Sequence, residues 1–216
     1  MRKKFTKGVS LKKVFSVFVI GCVFGSIYER LLHLTLHHKY ESRDTLIYGP
    51  FNKVYGLGAA ALVLCLGKEN EKRSFFKTFF YASLIGGLVE YLEGIKLDKI
   101  FNVEFWNYDH KTLNIDGKTT IPYMIVWGLM GALFMKKVYP QISKCIENLP
   151  LKPTNIIYYF LLTFMLFDNF ITYSAFYRRK LRNENINPKT LIGEMYDKYY
   201  TDEFFKERFP VMNFTK

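Results

Sequence analysis

The sequence predicts an all-α fold, a polytopic helical membrane bundle of about five transmembrane helices. An interfacial cap lies between spans three and four, and a short helical C-terminal tail follows. Three observations predict it. Half of the 216 residues are apolar, and they fall in blocks rather than at amphipathic spacing. The blocks approach the roughly 20 residues that a spanning helix needs. Lys and Arg sit between the blocks, where bilayer anchoring and topology place them.

Span one covers residues 14–32. The basic stretch before it (Arg2, Lys3, Lys4, Lys7, Lys12, Lys13) imitates a secretory leader. No small-x-small cleavage site follows and the apolar run continues past Cys22, so an uncleaved first span is expected. Span two, 50–66, starts at Gly49-Pro50, with proline in the first turn where its missing N–H costs nothing. Its Gly56, Gly58, Ala59, Ala60 and Ala61 offer a small-residue contact face. Span three is 75–93. The stretch from Gly94 to Thr120 is too polar to span and reads as the cap, with turn chemistry at Asn114-Ile115-Asp116-Gly117. Span four, 121–136, opens on Ile121-Pro122 and ends at Lys136-Lys137. A loop from Val138 to Thr154 then carries Pro140, Pro150 and Pro153. Span five, 156–177, stops at Arg178-Arg179-Lys180, so that residues 1–180 form the transmembrane domain and 181–216 an interfacial or soluble tail.

The formal net charge of +12 belongs to these loops, and too little chain remains for a soluble nucleic-acid surface; no nucleic-acid partner is expected. Basic residues divide almost evenly between the two faces, and the weight of the first span favours a cytoplasmic N-terminus. Three cysteines, two of them inside apolar blocks and none in a C-x-x-C, predict no disulfide framework. No G-x-x-x-x-G-K-[ST], G-x-S-x-G or Ser/His/Asp spacing occurs, so no nucleotide site and no catalytic residue is assigned. Glu29, His33 and His37 follow at helical spacing, but nothing else supplies metal geometry. No metal and no cofactor are expected.

Glu90 and Glu93 stand three positions apart and so share a helix face. A carboxylate facing lipid costs about 2.5–3.5 kcal/mol at a helix centre, so the pair should face protein or a water-filled cavity. Alternation of five spans puts Glu29, Arg30, Tyr55, Glu90, Glu93 and Trp127 at one membrane face, with Trp106, Tyr108 and Asp109 of the cap. Asp168 lies deeper, near the middle of span five. Together these ten are the candidate substrate- or ion-binding residues. The competing readings are structural: Arg30 as an ion-pair partner, Asp168 as interhelical glue, and Trp106 and Tyr108 as interface anchors.

Several ordered motifs resemble those of the bacterial ABC-transporter type IV membrane protein family. They are Gly25-Ser26-Ile27-Tyr28-Glu29, Leu46-Ile47-Tyr48-Gly49-Pro50-Phe51, Val54-Tyr55-Gly56-Leu57-Gly58, Glu90-Tyr91-Leu92-Glu93-Gly94, Phe105-Trp106-Asn107-Tyr108, Asn114-Ile115-Asp116-Gly117, Trp127-Gly128, Asp168 and Phe209-Pro210-Val211-Met212. The sequence departs from that pattern at Ser26 (Trp in the family), Lys53 (Pro) and Asn107 (Asp in the family, with Asp109 close by). The resemblance implies a permease-like subunit of the bacterial plasma membrane. Membrane lipid surrounds such a subunit, a separate ATPase drives it, and a homo-oligomer is one assembly open to it. It would handle a polar or cationic solute, or protons. A membrane-embedded enzyme acting on lipid or cell-envelope substrates, with a carboxylate as base, and a non-catalytic partner or sensor are the alternatives.

Overall fold

The computed structural model describes residues 4–215; Arg2 and Lys3 of the basic N-terminus lie outside them. Five long helices set the architecture: α1 Leu11–His37, α2 Lys53–Leu66, α3 Phe75–Phe101, α4 Ile121–Asn148 and α5 Leu151–Asn183. Two short helices follow, α6 Leu191–Tyr199 and α7 Asp202–Arg208. Two two-stranded antiparallel pieces complete it. Strand β1 Val103–Glu104 pairs with β4 Asn213–Phe214, and β2 Asn114–Ile115 pairs with β3 Thr119–Thr120.

Three helices, α1, α4 and α5, are long and apolar enough to cross a membrane. The other two expected spans differ for separate reasons. Helix α2 has 14 residues, about 21 Å at 1.5 Å per residue. It starts three residues later than Pro50 because the connector before it is held elsewhere: Asn52 N–H donates to the Cys22 carbonyl of α1, and Gly49 has φ +73. Helix α3 has ample length at 27 residues, but its last turns carry Glu90, Glu93, Lys96, Asp98 and Lys99.

The loop expected between Val138 and Thr154 is helix for most of its length. Pro140 would leave a carbonyl one turn back without its donor, and a π-helical turn at Phe134–Val138 absorbs the misfit. The Asn70 side-chain amide donates to the Met135 carbonyl inside that turn at 2.6 Å, and Lys136 reaches back to the carbonyls of Asn70 and Arg73. Pro150 and Pro153 fall at the N-cap and first turn of α5, where neither removes a needed N–H. Nor do Arg178-Arg179-Lys180 stop α5, which runs on to Asn183. Charge alone does not end a helix, and Arg178 and Arg179 are buried against acids of the tail.

Packing follows small residues. An added Cβ on Gly25 of α1 would collide with the Tyr55 ring of α2, and one on Gly128 of α4 would meet Ser83 Oγ and the Phe79 carbonyl of α3. Glycine at these two positions sets how closely each pair approaches. At one end of the bundle Phe5, Leu66, Met135, Tyr139 and Ile146 share a core, tied by the Lys13–Glu147 ion pair. At the other end the tail folds back onto α3, α5 and the cap. Phe176, Phe205, Phe209 and Val103 are fully enclosed there. Outward faces stay apolar: Phe76, Phe80 and Leu88 of α3, and Phe160, Leu166 and Phe170 of α5, are all exposed.

The tail is locked by charge as well as by rings. Arg178 Nε and Nη2 donate to Asp197 at 2.9 and 2.7 Å, and Arg182 adds a third bond at 3.1 Å. The Arg178 guanidinium, with Arg182 behind it, holds the Asp197 carboxyl below its ordinary value of 3.8. The unfolded chain therefore binds this proton more tightly. The stabilisation is complete above the ordinary value and is lost as pH falls through the depressed one. Hydrogen exchange across α6 and α7, taken relative to the rate of the unstructured peptide at each pH, should accelerate in the native protein as pH falls below the ordinary value of 3.8. In Asp197→Asn it should already be faster at neutral pH and show a smaller acid limb, the remainder belonging to Asp202, which Arg182 and Arg179 hold low against burial; an unchanged acid limb in the variant would contradict the assignment.

Candidate functional site

Polar side chains gather at the end where α1 and α3 finish and α2 and α4 begin. Three adjoining groups form there, each with a different balance of charge.

The first is built on Asp44, in the connector between α1 and α2 and 1 % exposed. It accepts from Ser26 Oγ at 2.5 Å, Ser42 Oγ at 2.9 Å, Arg208 Nη1 at 2.7 Å, and Arg30 Nη2. Arg208 also donates to the carbonyls of Ile47, Leu46 and Gly49, each at 2.7 Å. Arg30 therefore pairs with a connector carboxylate, not with Glu90 or Glu93. Asp168 braces the same connector from α5. Its Oδ1 accepts from Tyr48 N–H at 3.1 Å and Thr172 Oγ1 at 3.2 Å, while Thr172 Oγ1 takes the Ile47 N–H at 3.0 Å. Its Oδ2 is buried with no hydrogen-bond partner among the described residues.

The second group is electrically matched. Glu93 meets Lys96 at 2.5 Å and Lys53 at 3.6 Å. Both lysines donate to the Tyr173 hydroxyl of α5, and both lie against its ring, at 4.3 and 4.7 Å from the centroid. Glu93 and Glu90 share a helix face in sequence but belong to different clusters.

The third group has no matching cation among the described residues. Glu90, 4 % exposed, accepts from Thr119 Oγ1 at 2.6 Å and from the Tyr108 hydroxyl at 3.2 Å; the Trp127 side chain approaches the same carboxylate. Glu29 accepts from the Tyr55 hydroxyl at 2.6 Å and stands within electrostatic reach of Glu90. Rings pack together beside them: Tyr28 against Tyr55 at 6.0 Å, Tyr55 edge-on to Trp127 at 4.9 Å, and Tyr108 against Tyr123 at 4.8 Å. Burial, reinforced by the negative charge of Glu90, pushes the Tyr108 phenol above its ordinary range, so it stays a donor.

The segment between α3 and α4 delivers these donors; the first eight residues of the expected cap, Gly94 to Phe101, continue helix α3. Asp116 and Gly117 have φ of 49° and 63°, and Lys118 N–H closes onto the Ile115 carbonyl at 3.0 Å. Positive φ at both central residues makes the tight primed turn that suits a hairpin. The turn places Thr119 over Glu90. Trp106 does not touch the carboxylates; its indole N–H donates to the Lys118 carbonyl at 2.8 Å and fixes the hairpin. Asp109 lies in an exposed turn whose partners are Asn107 and the Asn114 amide.

The ten candidates thus divide. Glu29, Tyr55, Glu90, Tyr108 and Trp127 come together; Trp106 supports them; Arg30, Glu93 and Asp168 sit in neighbouring networks; Asp109 stands apart. Sequence reasoning missed Asp44, Arg208, Lys53, Tyr173 and Thr119. Only Lys53, a charge at the head of an apolar block, carried a usable signal. Ser26 and Lys53, two of the departures from the family pattern, both stand in polar contacts. Among the described residues no group of three His, Cys, Asp or Glu side chains could hold a metal ion.

The fold and its polar end define an all-α protein with membrane-span-capable helices. The chain belongs to the family described as "Putative ABC-transporter type IV", whose family model matches residues 16–173. That segment includes every residue of the Glu29–Glu90 cluster and omits Arg208. No curated protein and no solved structure matches the chain. Family and helices together are those of a membrane, transport-related protein.

Arg208→Ala should free the connector, since three carbonyls and Asp44 lose their donor together. A stability loss of about 2 kcal/mol is expected, smaller than for breaking a whole buried pair because Arg30 remains. Thermal melting of the purified chain, with trypsin cleavage at Arg43, measures it. A melt and a cleavage rate equal to the native protein's would contradict the clamp.

Proposed function

We propose that the chain is a multi-pass plasma-membrane subunit of a bacterial transport system. In this reading it is a permease-like protein that handles a cationic solute at the Glu29–Glu90 site and works with a separate ATPase. Helix α2 completes the bundle without needing a lipid-facing length of its own, and α3 adds an outward apolar face at Phe76, Phe80 and Leu88. Along α2, Val54, Gly56, Gly58, Ala60, Leu62, Val63 and Leu66 are all buried, so neighbouring helices shield it.

One observation carries the cationic assignment. Glu93, Asp98 and Glu147 each meet a lysine, whereas Glu29 and Glu90 meet no cation among the described residues and lie within electrostatic reach of each other. Two nearby carboxylates in a partly dehydrated site repel one another, and a bound cation or a shared proton relieves that repulsion. Hydroxyl donors from Tyr55, Tyr108 and Thr119 orient the carboxylates, and the aromatic rings beside them suit a soft cation. No observation singles out the enzymatic alternative.

Labelled tetramethylammonium provides a probe. Proteoliposomes holding the full chain should take it up or bind it saturably. Glu90→Gln should weaken this about tenfold or more, as expected when a charge-assisted contact is lost, with a melting temperature close to native. A fall in melting temperature with no change in tetramethylammonium binding would make Glu90 a packing residue and end this reading.

A further inference from the structure

Below the carboxylate pair lies a groove of about 330 Å³, lined almost wholly by apolar atoms. That volume is at the lower end of small-molecule sites. One wall comes from α1 (Val17, Ile20, Phe24), the other from α4 (Met130, Leu133, Phe134), and the floor from small residues of α2 and α3. Gly58 opens onto free space: an added Cβ would meet nothing within 4 Å. Two residues belong to the groove and to the polar site at once. Tyr55 lines the groove and holds Glu29, and Trp127 lines it and approaches Glu90. The groove's upper rim at Phe24 and Gly86 stands about one helical turn below Glu29 and Glu90, or roughly 6 Å along the axis.

We infer that the site takes an amphipathic cation, with an alkylammonium head among Glu29, Glu90 and the surrounding rings and a single apolar tail in the groove. The inference rests on the cation-handling reading and adds the substrate class to it. Charge complementarity selects the head. Two carboxylates without a counter-cation among the described residues, with Tyr28, Tyr55, Tyr108, Tyr123 and Trp127 packed beside them, combine negative charge with the aromatic rings that recognise substituted ammonium groups. The groove selects the tail: no charged side chain lines it, and an apolar chain placed there leaves water. Tyr55 and Trp127, touching both, make head and tail parts of one ligand.

The test uses the full chain in nanodiscs of digalactosyldiacylglycerol, a neutral bilayer lipid without an amine. The ligand is dodecyltrimethylammonium carrying bromine in mid-chain, and quenching of Trp127 reports the tail. Saturable quenching is expected, with brominated dodecanol and dodecyl sulfate binding about tenfold more weakly or worse. Glu90→Gln should bring the cation down to the alcohol's affinity. Gly58→Leu, which fills the groove from an unobstructed position, should remove quenching while sparing tetramethylammonium binding. Equal binding of cation and alcohol, unmoved by Glu90→Gln, would make the groove a general crevice for lipid chains and overturn the inference. Tetramethylammonium binding as tight as that of the long-chain cation, with Gly58→Leu altering neither, would overturn the tail while leaving the cation reading in place. A change in oligomeric mass on Gly58→Leu would give the groove to a second copy of the chain and also overturn it. Binding of neither cation would remove both readings.

Discussion

A carboxylate taken out of water must find a counter-charge or several donors, and the polar end of this protein is arranged by that constraint. Asp44 satisfies it with two arginines and two serines. In doing so it joins α1, the connector and the last turn of α7, stretches more than 160 residues apart in the chain. Glu93 satisfies it with two lysines from two helices. Where acids are matched, the protein is being held together. At Glu29 and Glu90 hydroxyl donors supply hydrogen bonds but, among the described residues, no counter-charge is at hand, and under the proposed function that missing charge is the demand a bound cation meets.

The surrounding structure keeps that demand in place. Glu90 cannot turn away, because the β2–β3 hairpin brings Thr119 onto it and Trp106 fixes the hairpin. Glu29 is held by Tyr55, whose ring packs against Gly25 of α1. The aromatic core of the tail then buttresses the cap through the β1–β4 pairing. Charge is thus fixed on rigid elements rather than on mobile loops, which suits a site that must hold two like charges near each other.

The architecture was legible because apolar blocks report burial or membrane directly. The all-α class and the shared location of Glu29, Tyr55, Glu90, Tyr108 and Trp127 followed from block order and alternation. Helix ends were harder. Pro140 reads as a breaker, yet a π turn accommodates it, and a basic triplet reads as a stop although tail acids let α5 pass through it. The Asp44–Arg208 clamp was invisible in principle: neither residue stands in a periodic pattern, and the partners meet only after the whole chain has folded. Glu93 misled for a related reason. Helical spacing puts it beside Glu90 on one helix, but the lysines and tyrosine of other helices draw it into a separate network.

The central claim is that a positively charged group belongs between Glu29 and Glu90. Crystals of the full chain soaked with tetramethylarsonium, an anomalously scattering analogue of tetramethylammonium, test it most directly. The account predicts an anomalous peak enclosed by Glu29, Glu90, Tyr55, Tyr108 and Trp127. A lysine or arginine side chain reaching both carboxylates, or a peak found only elsewhere on the protein, would contradict it.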